Sequence, residues 1–198
     1  MINSGKKTSV SFNSPVILIF TLLCFAVLIL GVITKDMTTV SFFSVYRSPL
    51  FNPLTYLRMF THVLGHAGWE HFFGNITMIL VIGPLLEEKY GSENILFVIL
   101  ATALATGIVH FIFFPGIRLL GASGVVFAFI LLSSFTSTEE GKIPATFILV
   151  AVIYLGQQIF SALFVNDNIS NLGHILGGIV GSVLGFIMNK NKMYGKQK

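Results

Sequence analysis

Apolar residues along this chain gather in long runs that short polar segments separate. Six runs have the length of a membrane helix or come near it, since a bilayer core of about 30 Å requires about 20 residues at about 1.5 Å each. The six runs cover 15–34, 71–86, 94–114, 122–135, 145–164 and 169–188. The pattern predicts an all-α integral membrane protein, a bundle of six transmembrane helices.

The first run and the segment after it differ in character. No small-residue cleavage motif ends the run before Lys35 and Asp36, so we expect a retained helix and not a signal peptide. Residues 35–70 are only partly polar and include apolar stretches such as FNPLTYLRMF. A mixed segment beside a membrane predicts amphipathic pieces that lie partly in the outer leaflet.

The fourth run, 122–135, is too short to cross a bilayer by itself. A short helix is tolerated where other helices surround it, and its ends then face a water-filled cavity instead of lipid. We therefore expect an enclosed fourth helix.

Composition and charge agree with this class and set an orientation. Of the 198 residues, 54% are hydrophobic and 10% charged, with a mean hydropathy of +0.86, whereas soluble domains carry about 25% charged residues. The terminal lysines explain the net charge of +4 without a nucleic-acid partner. They are Lys6, Lys7, Lys190, Lys192, Lys196 and Lys198. Eight of the 12 Lys and Arg fall on the side of the termini, which the positive-inside rule assigns to the cytoplasm.

These boundaries predict three parts of the chain. Residues 1–14 form a cytoplasmic tail, 15–188 a six-helix domain, and 189–198 a basic cytoplasmic tail of a protein in the cytoplasmic membrane. The lipid bilayer is its surrounding partner, and the sequence does not indicate an oligomeric state.

The polar residues inside the runs share one depth. His71 and Asn75 lie at the outer start of the second run, Ser123 at the outer start of the fourth, and His174 near the outer start of the sixth. Polar residues within a membrane are costly and usually face a bundle interior or a cavity. Their agreement in depth on three helices of one direction predicts a functional site.

Residue type suggests the chemistry of that site. Ser123 is a potential nucleophile if a base takes its proton, and His174 is the candidate base. Backbone N–H groups at a helix N-terminus point at a developing oxyanion. His71 and Asn75 are four residues apart, so they share a helix face and could donate to the same oxyanion. Asp167 lies in the preceding loop, which favours a dyad over a triad.

Other interpretations of these residues remain open. A serine flanked by glycines is often only a packing contact, and Gly177 and Gly181 have the GxxxG spacing of a close helix–helix face, with the Gly124–Ala128 face as partner. His62, His66 and His71 could suggest a metal, but the sequence has no HExxH motif. The two aspartates lie outside the runs and Cys24 is the single cysteine, so we expect no metal and no cofactor.

Three motifs within residues 55–185 resemble those of the rhomboid intramembrane serine proteases. The motifs are HAGWEHFFGN with His66, His71 and Asn75, GASG with Gly121, Ser123 and Gly124, and GHILGGIVG with His174, Gly177 and Gly181. Arg58 resembles an arginine of the family's first outer loop, and Glu87 a residue at the end of its second span.

The resemblance implies a rhomboid-like bundle of the six-span bacterial type and transmembrane protein substrates. It implies Ser123 as nucleophile, His174 as general base, and an oxyanion hole from His71, Asn75 and the Ser123 N–H. His66 would organise the outer loop. Phe127 departs from the family, which has a tyrosine stacked on the histidine there, so the stacking is expected and the hydroxyl is lost.

Two alternatives belong to other classes of protein. A catalytically inactive relative would bind membrane proteins in quality control, although such relatives usually lack the serine or the histidine. A small transporter would need an inverted repeat or an intramembrane carboxylate, and the sequence has neither.

Overall fold

The computed structural model describes residues 12–136, 142–164 and 171–193. Within these ranges the chain forms eight α-helices, a short 3-10 helix at His62–Leu64 and no strand beyond one isolated bridge. The α-helices are α1 (Pro15–Ile33), α2 (Met37–Phe42), α3 (Pro53–Thr61), α4 (Trp69–Tyr90), α5 (Ser92–Phe113), α6 (Ser123–Ser133), α7 (Ala145–Phe164) and α8 (Asn171–Met193). The predicted all-α membrane fold is confirmed.

The long helices match the apolar runs. Four of them, α1, α4, α5 and the Asn171–Lys190 part of α8, are long and apolar enough to cross a membrane. The apolar parts of α6 and α7, Ser123–Ser133 and Ala145–Ser161, are shorter. Helices α4 and α8 extend beyond the predicted ends at 86 and 188, because a helix continues into polar residues where hydropathy alone indicates a boundary.

The segment between α1 and α4 folds into the short helices α2 and α3 and the 3-10 turn. Helix α3 begins at Pro53, where the Asn52 side chain accepts a hydrogen bond from the Leu54 N–H at 3.0 Å. Its polar side faces inward and buries Arg58, while Leu57 and other apolar residues are exposed. An apolar outer face fits a segment lying against lipid, as the sequence predicts.

Helix α6 lies at the centre of the bundle. Most of its side chains are buried, and it packs most extensively against α8 and also contacts α4, α5 and α7. The expectation of a short, enclosed helix is therefore confirmed. Its first residue, Ser123, is therefore held in place by the four helices that surround α6.

Candidate active site

Ser123 is the first residue of α6, and the turn before it is built around Gly121. Gly121 has φ 123°, a conformation that favours glycine, and its N–H donates to the His62 carbonyl oxygen at 2.9 Å. The helical bond from the Val126 N–H to the Ala122 oxygen, at 3.0 Å, starts α6. The N–H groups of the first turn, including that of Ser123, therefore have no partner within the helix.

The close contact between α6 and α8 brings their backbones together. A Cβ on Gly177 would overlap the carbonyl oxygen of Gly124, and a Cβ on Gly181 would overlap that of Ala128. Both contacts are those that the GxxxG spacing predicts. Since the helices touch through backbone atoms, the position of α8 relative to Ser123 has little freedom.

His174 projects from the first turn of α8 onto the face of α6 that carries Ser123. Its ring stacks on Phe127, with ring centroids 4.6 Å apart and planes within 9°. Ser123 and Phe127 are four residues apart on α6, so they share that face. The stacking expected of Phe127 is present, and Ser123 and His174 are both partly exposed.

His71 lies in the first turn of α4 and its ring covers Gly121. A Cβ on Gly121 would lie 2.6 Å from Cε1 and 2.8 Å from Nε2 of that ring, so only glycine fits. The Ala67 N–H donates to Nδ1 of His71 at 3.4 Å. Because Nδ1 accepts this bond, the proton of the neutral ring resides on Nε2, which faces the turn before Ser123.

Asn75 lies one turn further along α4 and is buried, with 7% of its surface exposed. Its Nδ2 amide is buried without a hydrogen-bond partner among the described residues. Buried polar groups are nearly always paired, and an unpaired one costs about 1–3 kcal/mol. A buried donor without a partner is available to bind an incoming anion.

His66 supports His71 from the segment before α4. Its Nδ1 donates to the Leu64 carbonyl oxygen at 3.2 Å, and its ring meets those of His71 and Phe72 edge-on at 5.2 and 5.4 Å. Burial, and secondarily the neighbouring His71, lowers the pKa of His66 to about 4. His66 is therefore neutral at physiological pH.

Arg58 organises the outer segment from inside. Its guanidinium donates to the Tyr46 hydroxyl at 2.7 Å, the Ser48 hydroxyl at 2.8 Å and the Ser41 carbonyl at 3.3 Å, and lies 4.3 Å from the Tyr46 ring centroid. Only 3% of its surface is exposed. Arg58 thus holds three parts of one loop together.

The same outer segment is tied to the turn that leads into α6. Val45 and Leu119 form an isolated antiparallel bridge with N–O distances of 2.9 and 3.0 Å. These two residues also pack with Met59 in a small second core. The outer segment therefore holds the chain that leads into α6 at Leu119, four residues before Ser123.

Glu87 lies at the opposite end of α4 from His71. Its carboxylate accepts hydrogen bonds from the Val16 and Ile17 N–H groups, both at 3.0 Å, and from the Ser92 hydroxyl at 2.7 Å. Pro15 has no N–H, so these are the first two donors of α1. Glu87 is a capping residue that joins α1 to α4.

The structure adds Gln158, which sequence reasoning missed. Its Oε1 lies 2.7 Å from Nδ1 of His174, and only 8% of its surface is exposed. The available signal was an amide pair, Gln157–Gln158, inside the apolar α7. Asp167, the other candidate neighbour of His174, lies outside the described residues.

Metal ligation has no geometric support where the structure is described. No group of three His, Cys, Asp or Glu able to hold an ion occurs in residues 12–136, 142–164 and 171–193. His62 instead bonds to the Arg58 carbonyl and the Thr106 hydroxyl, both at 3.2 Å. His110 bonds through Nε2 to the Ile117 carbonyl oxygen at 3.1 Å.

Fold and site together describe a helical membrane protein whose enclosed helix α6 begins at Ser123 and carries Phe127, on which His174 stacks. Residues 53–191 match the family model described as the Rhomboid domain. The chain therefore belongs to the rhomboid family.

Two curated relatives give the range of the similarity. The chain is 31% identical over 156 residues to rhomboid-related protein 2 of Mus musculus, which covers 68% of this chain and 51% of that protein. It is 28% identical over 193 residues to rhomboid protease GlpG of Yersinia pestis, covering 95% of this chain and 68% of that protein. The chain thus spans about half the length of the mouse relative.

Proposed function

We propose that this protein is an intramembrane serine endopeptidase that cleaves transmembrane segments of membrane-protein substrates near the outer face of the cytoplasmic membrane. The observation that carries the proposal is the stacking of His174 on Phe127, one turn from Ser123 on the same face of α6. Family membership and similarity to a protein named as a rhomboid protease support the reaction class.

The reaction would proceed by covalent catalysis. His174 Nε2 takes the proton of the Ser123 hydroxyl while Oγ forms a bond to the scissile carbonyl carbon. The protonated imidazole then gives that proton to the leaving amine as the peptide C–N bond breaks. Water hydrolyses the acyl-enzyme by the same steps in reverse order, with His174 again as base. No redox step or external co-reactant other than water is needed.

The oxyanion would be bound by three donors of different origin. These are the Ser123 N–H at the start of α6, the Nε2–H of His71, and the Nδ2 amide of Asn75. Asn75 Nδ2 is buried and has no partner among the described residues, so it is available to donate to the developing charge. Preorganised donors of this kind each contribute about 10²–10³ in rate.

The orientation of the site belongs to the proposal too. Lysine distribution predicts both termini in the cytoplasm, so Ser123 would open toward the outer side. A small cavity beside the serine is lined by Ser123, Gly121 and Gly173 together with the buried residues Val63 and Thr106. Water and substrate would reach the site from that side.

An inactive relative that binds membrane proteins is the second candidate. The presence of both Ser123 and His174, with His174 held by Phe127 and Gln158, favours an enzyme. Reaction with a fluorophosphonate probe separates the two candidates.

The test compares purified wild-type protein with Ser123→Ala and with Ser133→Ala, a control serine in the same helix. We expect labelling of wild type and Ser133→Ala and none of Ser123→Ala. Equal labelling of wild type and Ser123→Ala would refute a serine nucleophile, and an unlabelled wild type would favour the inactive relative. Cleavage of a transmembrane substrate that persists in His174→Ala would exclude His174 as the base.

A further inference from the structure

Gln158 is a buried amide in a helix that is otherwise almost entirely apolar. Helix α7 reads ATFILVAVIYLGQQIFSALF, and its Gln157 is exposed whereas Gln158 is 8% exposed. A polar side chain inside a membrane bundle is costly and is retained where it meets a partner. The partner here is the candidate base, with 2.7 Å between Gln158 Oε1 and His174 Nδ1.

This hydrogen bond selects the tautomer of His174. The amide Oε1 has no proton to donate, so Nδ1 of His174 is the donor and carries the hydrogen. The other nitrogen, Nε2, then presents a lone pair and no hydrogen. A neutral imidazole in this tautomer can accept a proton from a serine hydroxyl through Nε2, and one in the opposite tautomer cannot.

A second contact from α7 supports the same ring. Tyr154 meets Phe127 edge-on, with centroids 5.8 Å apart and planes at 80°. Phe127 in turn stacks on the imidazole of His174. Tyr154 is four residues before Gln158, so α7 supports the histidine at its face through Phe127 and at its edge through the amide.

We propose that Gln158 is the positioning residue of His174, the third member of a Ser123–His174–Gln158 triad in which a neutral amide takes the place of a carboxylate. The proposal rests on the proposed function, since it assigns a partner to the proposed base. When His174 takes the Ser123 proton, its Nδ1–H becomes more acidic and its bond to Oε1 strengthens. The proton of Nδ1 stays on Nδ1 throughout, so Gln158 orients and stabilises the ring without exchanging protons.

An amide suits this place better than a carboxylate. A charged group within the membrane region is far more costly than a neutral amide, because the low dielectric penalises the charge. A neutral acceptor fixes the tautomer and adds no charge to the apolar α7. The penalty for losing it is correspondingly smaller than the loss of a carboxylate in a serine protease triad, which is about 10⁴-fold.

The first test is a set of three variants of the full chain, assayed with a transmembrane substrate. Gln158→Met keeps the side-chain length and removes the acceptor, Gln158→Glu keeps an acceptor oxygen, and Gln157→Met is the exposed control on the same helix. We expect Gln158→Met to lower kcat about tenfold, the effect of losing a neutral hydrogen bond in the transition state. KM should stay unchanged, Gln158→Glu should recover part of the loss, and Gln157→Met should match wild type.

The outcome separates this proposal from the proposed function. Wild-type kcat in Gln158→Met, together with an inactive Ser123→Ala, would overturn the role of Gln158 and leave the protease intact. A loss confined to KM would also overturn it. If Ser123→Ala cleaves as wild type does, the proposed function fails instead.

A measurement on the wild type makes the test independent of variant folding. Nitrogen-15 NMR of the His174 side chain distinguishes a protonated Nδ1 from a protonated Nε2. We expect the neutral ring to carry its proton on Nδ1 in the wild type, and a mixture of tautomers in Gln158→Met. A wild-type ring protonated on Nε2 would contradict the proposal whatever the variants do.

Discussion

Replacing Gly177 with alanine tests whether the backbone contact between α6 and α8 sets the geometry of the site. The new Cβ would overlap the carbonyl oxygen of Gly124, a backbone atom inside a helix that cannot rotate away as a side chain does. Carbon and oxygen atoms that do not bond need roughly 3.4 Å or more between them, so α6 and α8 must separate by about 1 Å.

The same movement has a small effect on stability and a large one on activity. Overpacking costs about 1–3 kcal/mol, and alanine gains about 1 kcal/mol over glycine in helix propensity, which leaves a net loss of about 0–2 kcal/mol. His174 lies three residues before Gly177 on α8, so a separation of the helices carries the imidazole away from Ser123. A misplacement of about 1 Å costs about 100-fold in rate.

The assay compares kcat for a transmembrane substrate in Gly177→Ala and in Gly156→Ala, a glycine of α7 where a Cβ would meet no atom within 4 Å. We expect kcat to fall about 100-fold in Gly177→Ala and to stay at the wild-type value in Gly156→Ala. Thermal unfolding of both variants should remain cooperative. A Gly177→Ala protein with wild-type kcat would refute the idea that this contact positions His174.

Three further predictions concern other residues. Asn75→Ala should lower kcat about 100-fold with little change in unfolding temperature, because its Nδ2 has no partner to lose within the described part of the chain. Asn94→Ala on the exposed side of α5 is the control. Equal kcat values for the Asn75→Ala and Asn94→Ala proteins would exclude Asn75 from the oxyanion site. Glu87→Gln should lower the free energy of unfolding by about 1–3 kcal/mol, measured by thermal unfolding, since an amide cannot accept all three bonds. His66 has a folded pKa of about 4 against 6.5 in a model peptide, so its neutral form is favoured in the fold and the unfolded chain binds the proton first. The stability that His66 contributes is therefore fully present above pH 6.5 and falls by up to about 3 kcal/mol toward pH 4. His66→Gln should flatten the dependence of unfolding temperature on pH. An unchanged slope in this variant would contradict the prediction.

Much of the fold could be predicted because hydropathy decides it. Each apolar run became a helix, and α7 has the predicted bounds of 145–164. The ends of α4 and α8 were less predictable, since helical hydrogen bonding continues into polar residues once the apolar part has set the axis. The sequence could only suggest that the outer segment has amphipathic pieces, not that Arg58 would join three parts of it.

The site residues could be predicted where their shared depth in the membrane was enough to identify them. Four polar residues at one level, on helices of one direction, were expected to face a shared interior. The structure places His71 against Gly121, just before Ser123, and His174 on Phe127, one turn after it. The rotation of α7 about its own axis is set by packing and by no local pattern. For that reason the sequence could not say which of Gln157 and Gln158 faces His174.

The shortness of α6 has a consequence for how the chain can vary. Eleven residues make a rod of roughly 16 Å, about half the thickness of a bilayer core, and Ser123 stands at its top. One residue inserted within the first turn would shift the rest of the helix by about 1.5 Å and rotate it by about 100°, so Phe127 would leave His174. A change of length in the first turn of α6 would therefore separate Phe127 from His174 even if every side chain were kept.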